Sequence, residues 1–328
     1  MNSRIGVRGL SAMALVLAFV TVLLAVPATM PVSLARDATP GIDPATLYAH
    51  VHFIGASATA GFDDSAPIGR LWQSRIEEMT LANVALNARI AAGTVTGDAT
   101  MLFFTNPIRV GTAQVDGTLA ENPKATLVVA DDFLFWFCYG ALGADRTPIK
   151  DEAQRLTLLD KGLEQLDRVV AAGIPLVVGD LPDMQAAVGK RLTPKQMPRK
   201  GTLAKANERI RAWAQGKPRV AVMPLSKLLE KLRSGKPFEA GRRSWSAETD
   251  GEFLQRDELH PTFAGRVALV ARTEQAANER FLGVRQPNAP GAPTAFEHDP
   301  AKVIARLREA AGGAGERTGE RAGKNASE

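Results

Sequence analysis

The chain has 328 residues, 45% of them hydrophobic and 23% charged, with 29 Gly, 20 Pro and a formal charge of +5. That composition excludes collagen-like, coiled-coil and wholly disordered chains, and the length allows one large α/β domain or two smaller ones. The excess charge sits at the ends: Arg4 and Arg8 lie in an N-terminal leader, and residues 301–328 hold six basic against four acidic side chains. A nucleic-acid binder concentrates positive charge on one face, so the nearly neutral middle predicts no nucleic-acid partner.

In chain order, Arg4 and Arg8 precede an almost uninterrupted apolar run, Leu10 to Val26, and small residues that fit cleavage after Ala28 or Ala35. Residues 1–35 therefore read as a secretory signal peptide. If retained, residues 10–26 are an anchor at the short limit for spanning a bilayer. Both readings place the folded part outside the cytoplasm, periplasmic or secreted.

Residues 36–285 read as the folded domain. Apolar runs HVHFIG (50–55), ATMLFFT (99–105), ATLVVADDFLFWF (125–137), IPLVVGDL (174–181) and RVAVMPL (219–225) are expected strands. Several are continuous rather than alternating, which suits parallel strands buried on both faces. Residues 70–92, 151–173, 202–216 and 266–282 are expected helices. In the second, Leu156, Leu159, Leu163, Leu166 and Val170 recur at helical steps until Gly173 ends it. This alternation predicts a three-layer α/β/α sandwich around a central parallel sheet, with ligands bound beyond the C-terminal strand ends. Residues 286–328 read as a Pro/Gly-rich linker and a disordered tail.

Cys138 is the only cysteine, which excludes an intramolecular disulfide and a Cys-based zinc site, and its aromatic neighbours make it a small buried hydrophobe. His50 and His52 share one strand face, but a metal site there needs a carboxylate beside them. No metal or cofactor is expected.

The first strand runs into Gly55-Ala56-Ser57-Ala58-Thr59-Ala60-Gly61. It lacks the Lys-Ser/Thr of a P-loop, and Thr59 stands where a G-x-S-x-G elbow has its second glycine. Ser57 is then either a capping serine in a tight turn or a nucleophile at the lip of the sheet. Asp257-Glu258-Leu259-His260 before the last helix bears on that choice. Asp and His three apart on a turn face one side, so the carboxylate fixes the imidazole tautomer and leaves Nε2 as a general base. The competing reading is a surface Asp with a packed histidine. FLFWFCYG, with Trp136 and Tyr139, is either a core plug or an apolar wall of a substrate cleft.

From about residue 49 to 282 the sequence resembles the SGNH/GDSL hydrolase superfamily in four blocks. These are Gly55-Ala56-Ser57, Gly111 in RVGTAQVDG, Val129-Ala130-Asp131-Asp132, and Asp257 to His260. The resemblance implies a flavodoxin-like fold and a cofactor-free serine ester hydrolase of esterase, lipase or acetylesterase type. Ser57 would be nucleophile, His260 base and Asp257 its orienter, with Gly111, Asp131 and Asp132 at the oxyanion and substrate site. The substrate would be a small-molecule or envelope-associated acyl ester. Two positions depart from the family pattern: Ala56 replaces an aspartate, and Asp131 stands where an asparagine donates to the oxyanion. An ionised carboxylate cannot donate. Either burial keeps one of Asp131 and Asp132 protonated, the amides of Ser57 and Gly111 suffice, or Asp132 has another task. A catalytically weakened carbohydrate- or lipid-binding protein is the alternative function.

Overall fold

A computed structural model describes residues 42–62, 94–143, 147–241 and 243–282. The leader, the helix expected over 70–92 and the tail from 286 lie outside them. After a one-turn helix α1 (Pro44–Leu47), strands β1 (His50–Phe53), β2 (Thr94–Gly97), β3 (Leu127–Ala130), β4 (Leu176–Gly179) and β5 (Val220–Met223) form one parallel sheet in the order β2-β1-β3-β4-β5. Every residue of β1, β3 and β4 is buried, as expected for parallel strands covered on both faces. Register is in step across the centre: Phe53 pairs with Val129, and Val129 with Val177.

The helices form the outer layers of a three-layer α/β/α sandwich. Helices α3 (Pro107–Ala120), α5 (Glu152–Ala171) and α6 (Lys200–Ala214) pack in succession, and α7 (Leu225–Ser234) packs with α9 (Phe263–Phe281), which lies against β4 and β5. Asp151 caps α5 by accepting the Gln154 N–H at 2.9 Å. Leu158, Leu159, Leu163, Leu166 and Val169 turn its apolar stripe inward, each worth about 1.5–3 kcal/mol when fully buried. Thr262 caps α9 in the same way, through the Gly265 N–H at 3.2 Å. Between them the chain also forms α2 (Ser57–Ala60), α4 (Phe135–Tyr139), a hairpin of β6 (Phe238–Ala240) with β7 (Arg243–Trp245), and α8 (Ala247–Asp250).

Two sequence expectations are corrected. ATMLFFT is not a strand: residues 101–105 form a turn and a 3-10 segment that leaves Met101, Leu102 and Phe104 exposed. The strand beside β1 is the less apolar Thr94–Gly97. Apolar content alone does not separate a short strand from a turn. The third apolar run is likewise strand only over Leu127–Ala130. It then turns into α4, where Cys138 is fully buried and burial pushes its thiol up to about 12.

In the order 2-1-3-4-5 the crevice lies where the β1 and β3 connections part. The Ser57 turn and the Asp131-Asp132 pair leave the sheet at that point.

Candidate active site

Ser57 is the first residue of α2, directly beyond β1. Asp132, beyond β3, holds this turn from across the crevice. Its Oδ1 accepts the Ala56 N–H at 2.8 Å and the Thr59 hydroxyl at 2.6 Å, and its Oδ2 accepts the N–H groups of Ala58 at 2.9 Å and Thr59 at 3.2 Å. An ionised carboxylate only accepts, and here each acceptor oxygen is used twice. Asp132 therefore clamps the serine turn rather than donating to an oxyanion, the other task the sequence left open for it, and it lines the pocket beside Ser57. Gln114 on α3 holds the other side: its Oε1 accepts the Gly55 N–H at 2.9 Å, and its Nε2 donates to the carbonyls of Gly55 at 2.9 Å and Asp98 at 2.8 Å. Gly55 has φ +153°, and a Cβ there would collide with Asp132 Oδ1 and stand 2.9 Å from Thr59 Oγ1. Only glycine lets the clamp close.

The last loop brings His260 to this turn. His260 Nε2 stands 3.0 Å from Ser57 Oγ, and His260 Nδ1 stands 2.7 Å from Asp257 Oδ2. Asp257 Oδ1 also accepts the N–H groups of Leu259 and His260, both at 3.0 Å. Burial pushes the Asp257 carboxyl up, but the hydrogen bonds from the His260 N–H, the His260 ring and the Leu259 N–H outweigh it and hold the acid below its ordinary value. It stays ionised and keeps the Nδ1 proton facing it. Phe62 stacks on the imidazole with centroids 4.0 Å apart. Between Asp257 and His260, Glu258 takes φ 58°, an uncommon conformation for a non-glycine residue. Arg233 of α7 braces it through the Glu258 side chain at 3.3 Å and carbonyl at 3.4 Å.

Ser57, His260 and Asp257 are thus brought together, whereas Gly111 is not. Gly111 lies inside α3, buried, where a Cβ would meet Phe137 at 2.9 Å and Phe133 at 3.1 Å. It is a close-packing glycine, and its amide is committed to the helix. Asn106, whose side chain accepts the Arg109 N–H at 3.0 Å, and Pro107 start that helix, a signal present in the sequence. Asp131 turns away from Asp132 and meets the Thr273 hydroxyl of α9 at 2.7 Å. Burial, against the Thr273 bond and with the adjacent Asp132 adding to the rise, pushes its acid up to about 7.

A pocket opens at the serine, lined by Ser57, His260 and Asp131 together with Trp136, Leu229 and Leu269 among other apolar side chains. Tyr139, behind this wall, is buried and donates its hydroxyl to the Pro182 carbonyl, so the aromatic run both fills the core and lines the cleft. The clamp residues Gln114 and Thr59 and the stacking Phe62 were not visible as site residues. They act by position alone and belong to no spaced motif. Among the described residues no group of three or more His, Cys, Asp or Glu is set to hold a metal ion.

No family model matches the chain, and neither does any curated protein. Solved structures similar to it include that of TesA, at 16% identity over 70% of this chain and 98% of that one, with a TM-score of 0.41. A putative acylhydrolase from Bacteroides fragilis has 16% identity over 70% and 87% of the two chains, with a TM-score of 0.41. A member of the lipolytic G-D-S-L family from Veillonella parvula has 14% identity over 71% and 97%, with a TM-score of 0.41.

Proposed function

We propose that this protein is a serine ester hydrolase. The observation that supports the reading is the line Ser57 Oγ–His260 Nε2 at 3.0 Å and His260 Nδ1–Asp257 Oδ2 at 2.7 Å, opening on an apolar pocket. Ser57 Oγ attacks the ester carbonyl while His260 Nε2 takes its proton, and Asp257 stabilises the imidazolium. The tetrahedral oxyanion collapses, His260 returns the proton to the leaving alkoxide, and an acyl-serine remains. Water, deprotonated by the same nitrogen, then releases the acid and restores Ser57. The Ser57 N–H, one of the donors that a first helical turn leaves without an intrahelical partner, serves the oxyanion.

Phe104, exposed, has its ring centroid 5.7 Å from that of Trp136, a wall residue of the pocket. The leucines and aromatic side chains that line the pocket make its wall apolar, which favours an ester with a substantial apolar part. Residues 1–35, read as a leader, direct the activity to an extracytoplasmic, envelope-associated or secreted acyl ester. One observation favours a second reading, a catalytically weakened lipid- or carbohydrate-binding protein: Asp131, where a second oxyanion donor is expected, is bonded to Thr273.

Treatment with a fluorophosphonate probe and p-nitrophenyl esters, beside Ser57→Ala, separates the two. Covalent labelling and turnover that both disappear in Ser57→Ala are expected. Labelling that persists in Ser57→Ala removes Ser57 as nucleophile, and absence of turnover in both proteins leaves the binding protein.

A further inference from the structure

Asp257 has a cationic neighbour that the proposed reaction leaves without a task. Its Oδ2, the oxygen that His260 Nδ1 meets at 2.7 Å, also stands 3.5 Å from Arg191 Nε. The same guanidinium lies over the Phe62 ring, 5.0 Å from its centroid, which is within reach of a cation–π contact. Phe62 in turn stacks on His260 at 4.0 Å. Arg191 therefore meets both groups that hold the imidazole, its carboxylate and its ring partner.

The fold fixes it there. Beyond β4, residues 187–192 close a tight turn: the Lys190, Arg191 and Leu192 N–H groups all donate to the Ala187 carbonyl at 3.1 Å, and the Gly189 N–H donates to the Leu192 carbonyl at 2.8 Å. Gly189 takes φ +82°, which glycine adopts without strain. Ala187 and Leu192 are buried and pin the turn, while the Arg191 side chain is half exposed. The turn divides its two cations over the last loop. Lys190 Nζ stands 3.7 Å from the Glu258 carboxylate, which Arg233 also meets at 3.3 Å, and Arg191 faces Asp257.

A carboxylate beside an imidazole favours the imidazolium. A guanidinium on the same oxygen works the other way: it takes up part of that negative charge and repels the cation, and it stays charged at every working pH. Resting on the hydrolase reading, we propose that Arg191 is a positioning residue of the Ser57–His260–Asp257 line. By sharing Asp257 Oδ2 it holds the carboxylate in place and keeps His260 a free base to lower pH than Asp257 alone would allow. Asp131 and Asp132 line the same pocket as His260 and bear on its charge from the end of β3. Both are present in every protein compared below, so they leave the difference at Arg191 unaffected.

The test is the pH profile of kcat/KM on a p-nitrophenyl ester, whose acid limb reports the base of the free enzyme. It is measured in the full chain and in Arg191→Met, Arg191→Gln and Arg191→Lys. In the two uncharged variants the acid limb moves up by roughly half a pH unit, the size of a half-exposed ion pair. Below the limb kcat/KM then falls about threefold, and on the plateau it is kept. Arg191→Lys, which keeps the charge, holds the limb closer to that of the wild type. An unmoved limb in the uncharged variants overturns the proposal. So does an equal fall at every pH in all three, the mark of a merely structural side chain. NMR titration of the His260 ring in Ser57→Ala, with and without Arg191→Met, reads the same shift without turnover, the resonance being the one lost in His260→Ala. A rise of roughly half a pH unit on removing Arg191 supports the proposal, and identical titrations overturn it. Absence of turnover in the wild type, with that rise present, removes the hydrolase and keeps the coupling of Arg191 to His260.

Discussion

Imidazole and carboxylate meet in two places, on β1 itself and beyond its C-terminal end. At the first, His52 Nδ1 lies 2.8 Å from Thr96 Oγ1 and 2.9 Å from Glu121 Oε1, and His50 Nε2 lies 2.9 Å from the same Thr96 hydroxyl, which donates to Glu121 at 2.7 Å. At the second, His260 Nδ1 lies 2.7 Å from Asp257. All three histidines are buried. What differs is the far nitrogen. His50 Nδ1 has no hydrogen-bond partner, His52 Nε2 stands 3.5 Å from the Asp98 carboxylate, and neither residue lines the pocket. His260 Nε2 faces a serine hydroxyl at the pocket wall. An oriented imidazole becomes a general base only when its free nitrogen addresses a proton worth moving and substrate can arrive there. The carboxylate that a metal at His50 and His52 would need is present in Glu121, yet the Thr96 hydroxyl already occupies the centre of that group.

The largest effect that would break this contrast is on rate. His260→Ala should lower kcat/KM on a p-nitrophenyl ester by roughly 10⁴-fold or more, whereas His52→Ala should leave kcat/KM within about twofold. The second variant should instead lower the melting temperature, because Glu121 loses a buried partner at a cost of about 1–3 kcal/mol. Comparable rate losses in both would erase the distinction between the two sites. The next effect concerns the clamp. Asp132→Asn puts an NH₂ group against three backbone N–H donors and a hydroxyl, so activity should fall about 100-fold and stability by about 2 kcal/mol, read by kinetics and urea unfolding. Unchanged values would mean that the serine turn holds without Asp132.

The smallest effect on rate, and the most specific in pH, is at Asp131. Its acid is raised in the folded state from 3.8 to about 7, so between those values the native protein holds a proton that the unfolded chain has lost. Stability then falls as pH rises through that window, by up to about 4 kcal/mol. Asp131→Asn cannot titrate. Its stability should lose this slope and exceed the wild type's above pH 7, as measured by denaturant midpoints across pH. Parallel midpoint curves for the two proteins would show that Asp131 ionises in the fold as it does in the unfolded chain.

How far the sequence carried the reading varies with how local each signal is. Asp151 before α5, the leucine steps within it and Gly173 after it are local, and all appear in the structure within a residue or two. Ser57 and the Asp257–His260 turn were picked out by residue type, spacing and the resemblance. Gly111 is matched to the family's lone glycine by residue type and order alone, and Asn106-Pro107 starts a helix just before it that buries it. For Asp132 the sequence leaves the oxyanion and substrate site and another task both open, because adjacency to Asp131 says nothing about which way each carboxyl turns. Successive residues leaving a strand point to opposite sides, and that is why one clamps α2 and the other meets α9.

By itself, then, the sequence determined the alternation of strands and helices, the residue types of the Ser–His–Asp line and the near-neutral middle of the chain. These follow from periodicity, capping and charge, which act over a few neighbours. Only the tertiary structure decided that Ser57 and His260, 203 positions apart, lie within 3.0 Å. It also decided that Gln114 and Asp132 close on Gly55, and that Asp131 is left with one oxygen unpaired. Those outcomes depend on which faces the sheet order brings together, and desolvation of a carboxyl is set by everything packed around it.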